Sequence, residues 1–148
     1  MKERILDKID EQIIDLLSKN AKLNTKELAG LIGLSTTPTF ERVKRLERLE
    51  VISGYHALIN PKKVGRDLKV ICQVSLKSHF KEGIDDFENA VKELTEISHA
   101  YHVAGAIDYM LIIEVANMEV YQDFIKNRLA RIPHIGQVNS SFVMSELK

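Results

Sequence analysis

Near residue 55 the spacing of apolar residues changes from every third or fourth position to every second, so the chain must build helices first and a sheet afterwards. In front of the change three helices are predicted. Asp7 opens the first, whose apolar stripe is Leu6, Ile9, Ile13, Leu16 and Leu17. Asp7, Asp10 and Glu11 suit the positive N-terminal end of its dipole, and Lys19 suits the negative end. Asn24 and Glu27 stand at the spacing of a reciprocal capping pair and open a second helix that turns Leu28, Leu31 and Ile32 inward. Gly33 is a natural end for it, because glycine takes the left-handed backbone of a helix C-cap without steric cost. Thr37 and Pro38 then read as cap and first position of a third helix, running to about Glu50 with Val43, Leu46 and Leu49 on its inner face.

Behind the change, Tyr55 to Ile59 reads as a short strand, and the polar stretch around Pro61 and Gly65 as a linker over residues 61–66. Leu68 to Lys77 is predicted as a strand with Val70, Cys72, Val74 and Leu76 on one face. An amphipathic helix follows Gly83, carrying Ile84, Phe87, Val91 and Leu94. Ile97 to Ala104 and Tyr109 to Ala116 are two strands joined by Gly105-Ala106-Ile107-Asp108, a hairpin-length connection. Met118, Tyr121, Phe124, Ile125 and Leu129 mark a further helix that ends before Pro133, and Val138 to Leu147 is a last strand. The order β-α-β-β-α-β is the split, ferredoxin-like arrangement. The expected fold is therefore α+β: a helical domain over residues 1–60, then a βαββαβ domain over residues 67–148. A domain of that size with one bare sheet face exposes a patch large enough to drive association.

Composition narrows the function classes. Of 148 residues, 45% are hydrophobic and 28% charged, the balance of a soluble globular chain. No apolar run approaches the ~20 residues of a membrane span, and Met1-Lys2-Glu3-Arg4 leads into a helical pattern rather than a signal peptide. The one cysteine, Cys72, lies among apolar neighbours and reads as a small buried hydrophobe, which fits the cytoplasm. There are 21 basic and 21 acidic residues, ten against nine up to Asn60 and eleven against twelve beyond it. Neither half has a strongly basic footprint, so any nucleic-acid argument rests on where the charges lie.

Two short helices joined by a three- or four-residue turn containing glycine define a helix-turn-helix, here at about residues 26–45 with Gly33-Leu34-Ser35-Thr36 as the turn. In that geometry the N-terminal end of the second helix enters the major groove. Thr36, Thr37, Thr39, Phe40 and Arg42 are the residues expected there: threonine meets base edges or a thymine methyl, and arginine reads guanine with two hydrogen bonds. Lys44, Arg45 and Arg48 are placed to reach phosphates. Glu41, Glu47 and Glu50 offer the same cations ordinary salt bridges on the helix surface, and the residues alone leave both readings open. His99 and His102 fall on opposite faces of a strand, which argues against a shared metal. No nucleophile–base pair, phosphate loop or catalytic carboxylate pair is legible.

The stretch GLSTTPTFERVKRLERLEVISGY, from Gly33 to Tyr55, closely resembles the helix-turn-helix of the Lrp/AsnC (feast/famine) transcriptional regulators. So do the lead-in Leu6-Asp7-Lys8-Ile9-Asp10, Glu27-Leu28-Ala29, the run Ile59 to Gly65, and Gly105-Ala106-Ile107-Asp108-Tyr109. The resemblance spans essentially the whole chain. It implies a sequence-specific DNA-binding regulator, not an enzyme, with a winged or plain helix-turn-helix before a ferredoxin-like effector and oligomerisation domain. It implies double-stranded DNA as partner, dimers formed through the sheet, and assembly to tetramers or octamers in a cytoplasmic, nucleoid-associated setting. It implies no cofactor, but a small-molecule effector such as an amino acid, bound between dimers. By position Gly105, Ile107, Asp108 and Tyr109 are implicated, with Val138, Asn139 and Ser140 opposite. Asp108 would accept the ligand's ammonium, or else it simply stabilises a tight turn. Ala104, Ala106 and Ser140 stand where the family often has Thr, a polar residue and Thr, which leaves fewer polar groups at the turn. The rival readings are an architectural, nucleoid-like DNA binder without ligand response, and a sirohaem decarboxylase of related architecture that recruits His99 or His102.

Overall fold

A computed structural model describes residues 6–147. It divides between Leu58 and Ile59 into two compact units. The first holds α1 (Lys8–Lys19), α2 (Thr25–Ile32) and α3 (Thr36–Arg48). α1 and α2 each begin with a reciprocal cap. The Asp7 carboxylate accepts the Asp10 N–H at 2.9 Å while Asp10 accepts the Asp7 N–H at 3.1 Å. Asn24 and Glu27 do the same at 3.0 and 2.9 Å. Each pair satisfies two N–H groups that the first turn leaves without an intrahelical partner. α2 ends at Gly33, whose φ of 72° is left-handed.

Ile13, Leu17, Leu28 and Leu46 form the buried centre of this unit. Leu31 and Leu49, expected to point inward, are exposed. At about 100° per residue, Leu28, Ala29 and Ile32 share one stripe and Leu31 lies well off it, whereas Leu49 is already the C-cap of α3. The third helix also starts earlier than expected. Its N-cap is Ser35, so Thr37 and Pro38 lie within the first turn, where a missing N–H is harmless. It ends at Arg48, with Glu50 left-handed at φ 55° and the Val51 N–H returning to the Leu46 carbonyl at 3.0 Å. The strand expected from Tyr55 to Ile59 does not form. An extended segment becomes a strand only by pairing, and the described first unit contains only helices.

The second unit begins with ordered backbone rather than loose chain. Asn60 caps a tight helical turn, Pro61–Val64, closed by Gly65. Then come β1 (Leu68–Leu76), α4 (Lys81–Lys92), β2 (Ile97–His102), β3 (Tyr109–Val115), α5 (Met118–Asn127) and β4 (Ile135–Phe142). The strands lie in the order β2-β3-β1-β4, all neighbours antiparallel, which is the expected split arrangement. β1 alternates cleanly, turning Val70, Cys72, Val74 and Leu76 toward the helices. There they meet Phe87 and Val91 of α4 and Tyr121 and Phe124 of α5. Each large side chain buried in this layer contributes about 1.5–3 kcal/mol. Ile71, Met110 and Ile112 point to the opposite face, which no element of this unit covers, together with His99 and Tyr101, whose rings stack at 6.2 Å.

The bounds of α4 and β4 differ from expectation. α4 runs through Gly83 instead of starting after it. β4 begins at Ile135 and ends at Phe142, not at 138 and 147. Its start is masked by a bulge: Gly136 is the extra residue between the Leu76–Ile135 and Ser75–Gln137 pairs. A Cβ at Gly136 would sit 3.0 Å from the Ser75 carbonyl oxygen, so the close strand approach needs glycine. Its end follows from β1, whose residues pair no further than Val70–Phe142, with a last hydrogen bond from Val143 to Lys69.

Candidate nucleic-acid interface and ligand site

α2, the turn at Gly33 and α3 place the first turn of α3 at the surface, with Thr36 and Thr37 exposed. Phe40 is half exposed, and the Lys44 ammonium lies 5.8 Å from the centre of its ring. Arg48 is exposed one turn beyond Lys44, and Lys44 is paired with Glu47 at 2.6 Å. Tyr55 donates to the same Glu47 carboxylate at 3.0 Å, which ties the chain after α3 back to the helix.

Three expected contact residues have other duties. Thr39 is fully buried, and its hydroxyl donates to the Ser35 carbonyl at 2.9 Å, so its side chain braces the helix start. Arg42 donates to Asp7 and to Asp10, each at 2.7 Å. Arg45 donates to the other oxygen of Asp10 at 2.9 Å. Asp10 is fully buried, so the two arginines neutralise a carboxylate that would otherwise be costly inside the unit. The Asp10 backbone N–H and then the Arg42 guanidinium hold the Asp7 carboxyl below the usual carboxylate range. This clamp fixes α3 against the start of α1. The sequence marks Asp7 as the opening of α1 and Asp10 as a helix-dipole acid, but the burial of Asp10 and its arginine partners have no local signal.

In the second unit the seven expected ligand residues do not converge. Gly105, at φ 149°, is exposed in the hairpin between β2 and β3, and Ile107 is partly buried beside it. Asp108 is engaged: Leu76 N–H donates to one carboxylate oxygen at 2.7 Å and His79 Nε2 lies 2.8 Å from the other. The Leu76 N–H, then His79, keep its carboxyl below the usual range. These contacts tie Asp108 to the end of β1 and the segment after it. Tyr109 is buried on the helix side, where its hydroxyl donates to Glu88 at 3.0 Å; burial and then Glu88 push its phenol up to about 12. Val138 and Ser140 also face the helices, paired with Val74 and Cys72, and the Ser140 hydroxyl bonds that of Tyr121. Asn139, paired with Gln73, faces the uncovered side. Strand alternation thus separates residues that sequence proximity had grouped. Burial pushes the Cys72 thiol up to about 11, which suits a packing role.

A concavity that the sequence reading did not single out lies between α4 and β2. It measures about 330 Å³ and is lined by Phe87, Glu88, Val91, Lys92, Ala100, His102 and Tyr109. His102 stacks on Tyr109 with ring centres 4.6 Å apart, while His99 pairs opposite Ile112 on the other face. Among the described residues no group of three or more His, Cys, Asp or Glu is placed to hold a metal ion. No helix of the described residues is long and apolar enough to cross a membrane.

The sequence matches two family models: the Lrp/AsnC ligand binding domain over residues 69–148, and a winged helix-turn-helix DNA-binding domain over residues 6–53. The chain belongs to the Lrp/AsnC family. It is a transcriptional regulator with a DNA-binding unit in front and a ligand-binding unit behind. The leucine-responsive regulatory protein of Haemophilus influenzae is 37% identical over 147 residues, covering 99% of this chain and 89% of that protein. The Escherichia coli protein of the same name is 36% identical over 143 residues, covering 97% and 87%. Among solved structures, a transcriptional regulator of Neisseria meningitidis in complex with L-methionine is 30% identical with a TM-score of 0.92, covering 97% of this chain and 92% of that one. LrpC of Bacillus subtilis is 32% identical with a TM-score of 0.85, covering 97% of each chain. In this Lrp/AsnC member the segment after α3 carries no paired wing strand among the described residues.

Proposed function

We propose that this Lrp/AsnC regulator reads operator DNA with the exposed side of α3: Thr36, Thr37 and Phe40 at base edges, Lys44 and Arg48 at phosphates. Arg42 and Arg45 serve instead to hold that helix in place. The observation that carries the reading is the clamp of α3 on buried Asp10, which leaves the first turn of the helix rigidly presented at the surface. On this reading residues 1–60 bind DNA, 61–66 connect, and 67–148 assemble and sense. The uncovered sheet face pairs two copies into a dimer that builds tetramers or octamers, so two copies of α3 meet half-sites about one DNA turn apart or a multiple of it. The effector is an amino acid, supported by the L-methionine found with the Neisseria meningitidis relative. The protein acts in the cytoplasm without a catalytic step.

Anisotropy titrations against the DNA upstream of the protein's own coding region, and against a shuffled duplex, test this. Arg48→Ala should weaken binding to both duplexes and lower the slope of log K against log salt by about one. Thr37→Ala should narrow the gap between the two duplexes. Equal affinity of the unaltered protein for both would favour an architectural binder instead. No DNA binding, with a tight coloured complex on sirohaem, would favour the decarboxylase.

A further inference from the structure

We propose that Lys62, Lys63 and Arg66, around the turn Pro61–Val64, form a second phosphate-contacting surface that grips the backbone of the duplex read by α3. The inference rests on the DNA-binding reading of the first unit, and it gives residues 61–66 a task beyond connecting the units. α3 by itself is poor in available positive charge. Arg42 and Arg45 are committed to Asp10 and Lys44 to Glu47, so Arg48 is the one cation of α3 without a partner among the described residues. The chain carries 21 basic and 21 acidic residues, so no general positive field makes up the difference. Contacts to phosphates supply a large share of the affinity for a duplex, and here they must come from cations gathered elsewhere.

Lys62, Lys63 and Arg66 are such a gathering. All three are exposed, and none takes part in an ion pair or a side-chain hydrogen bond among the described residues. No other stretch of five described residues holds three unpaired cations. Lys69, next along the chain, is already occupied by Glu114 at 3.3 Å and Glu146 at 2.9 Å. That leaves Asp67 as the one uncompensated carboxylate beside the three cations. The base beneath them is firm. Pro61 fixes its own φ, the Asn60 side chain accepts the Lys63 N–H at 3.4 Å, and the Arg66 N–H donates to the Pro61 carbonyl at 2.9 Å. Stems on ordered backbone lose less entropy when their charged heads settle on phosphates. Lys62 and Arg66 line one cleft of about 380 Å³, so these two address the same side. Arginine takes a phosphate with two parallel hydrogen bonds, and lysine takes it as a point charge. Lys62 is fourteen positions beyond Arg48, and an extended chain of that length spans at most about 50 Å, so DNA held on α3 lies within tether length of the turn.

The test is anisotropy titration of the full-length protein over a range of salt, on the duplex from upstream of its own coding region and on the shuffled duplex. The triple variant Lys62→Gln/Lys63→Gln/Arg66→Gln takes a partner from no described residue. It should weaken binding to both duplexes by at least about tenfold and lower the slope of log K against log salt by about 2 to 3 for each copy bound. The ratio of the two affinities should stay within about twofold, because phosphates carry no sequence. The charge-keeping Lys62→Arg/Lys63→Arg/Arg66→Lys should retain affinity and slope. Lys77→Gln/Lys81→Gln/Lys126→Gln, which removes as many exposed and unpaired charges from the same unit, should retain them too. Circular dichroism establishes that the variants fold, and light scattering that they assemble. An unchanged slope in the first variant, or an equal loss in either of the other two, overturns the proposal while the reading of α3 stands. A first variant that no longer assembles places the turn at a contact between copies and overturns it as well. If the unaltered protein binds neither duplex, the proposal falls together with the DNA-binding reading.

Discussion

Asp10 is fully buried, with one arginine of α3 on each oxygen. The two arginines are partly exposed, so Asp10→Ala leaves charges that water can reach, whereas losing the arginines would strand a fully buried carboxylate. Asp10→Ala should therefore lower the stability of the helical unit by about 1–2 kcal/mol through its lost charge-assisted hydrogen bonds, read as a lower denaturant midpoint. Asp7 adds a pH dependence of definite sign. Its carboxyl is held below the ordinary range in the folded state, so its contribution is present above the unfolded value of about 3.9 and is lost as pH falls through the folded value. Thermal melts from pH 6 down to about pH 3 should show a declining midpoint, and Asp7→Asn should flatten that decline. At this scale the sequence was half legible. Asn24 and Glu27 are legible as a cap by local spacing, and Asp7 as the acid that opens α1. The partnership of Asp10 with Arg42 and Arg45 joins residues more than thirty positions apart, and only the packing of α3 on α1 creates it.

Helices here were easy to find and their ends harder. Gly33 ends α2 with left-handed backbone, and Glu50 takes the same conformation after α3 despite carrying a side chain. The two positions should respond in opposite directions. Gly33→Ala should cost about 1 kcal/mol and Glu50→Gly should gain somewhat less, both measured by chemical denaturation. The start of α3 was misplaced by two residues because Ser35, Thr36 and Thr37 are all acceptable caps locally. The choice falls to Ser35, which lets Thr39 turn inward to bond the Ser35 carbonyl. β4 was displaced for a different reason. Gly136 interrupts the alternation with a bulge, and a period-two pattern cannot be read across an extra residue.

At the scale of the molecule, one face of the sheet is covered by no element of the second unit among the described residues. Ile71, Met110 and Ile112 form its apolar centre, with Tyr101 and His99 beside them. A charge placed there should be incompatible with pairing of two sheets, so Ile112→Glu should give a monomer by light scattering and lose most DNA affinity. Loss of dimer without loss of affinity would mean that the face pairs for some other purpose. Apart from the strand expected from Tyr55 to Ile59, the order of elements, the helix-turn-helix and the family were determined by the sequence alone. Periodicity, caps and glycine turns are local, and several separated motifs occur in family order. What only the tertiary structure decided is which side chains are available. Arg42 and Arg45 are drawn inward by a carboxylate distant in sequence. Asp108 is spent on Leu76 and His79. Glu88 and Lys92 share a concavity with Ala100, His102 and Tyr109 only because β2 and β3 are brought against α4. Local patterns state what a residue prefers, and long-range packing settles what it touches.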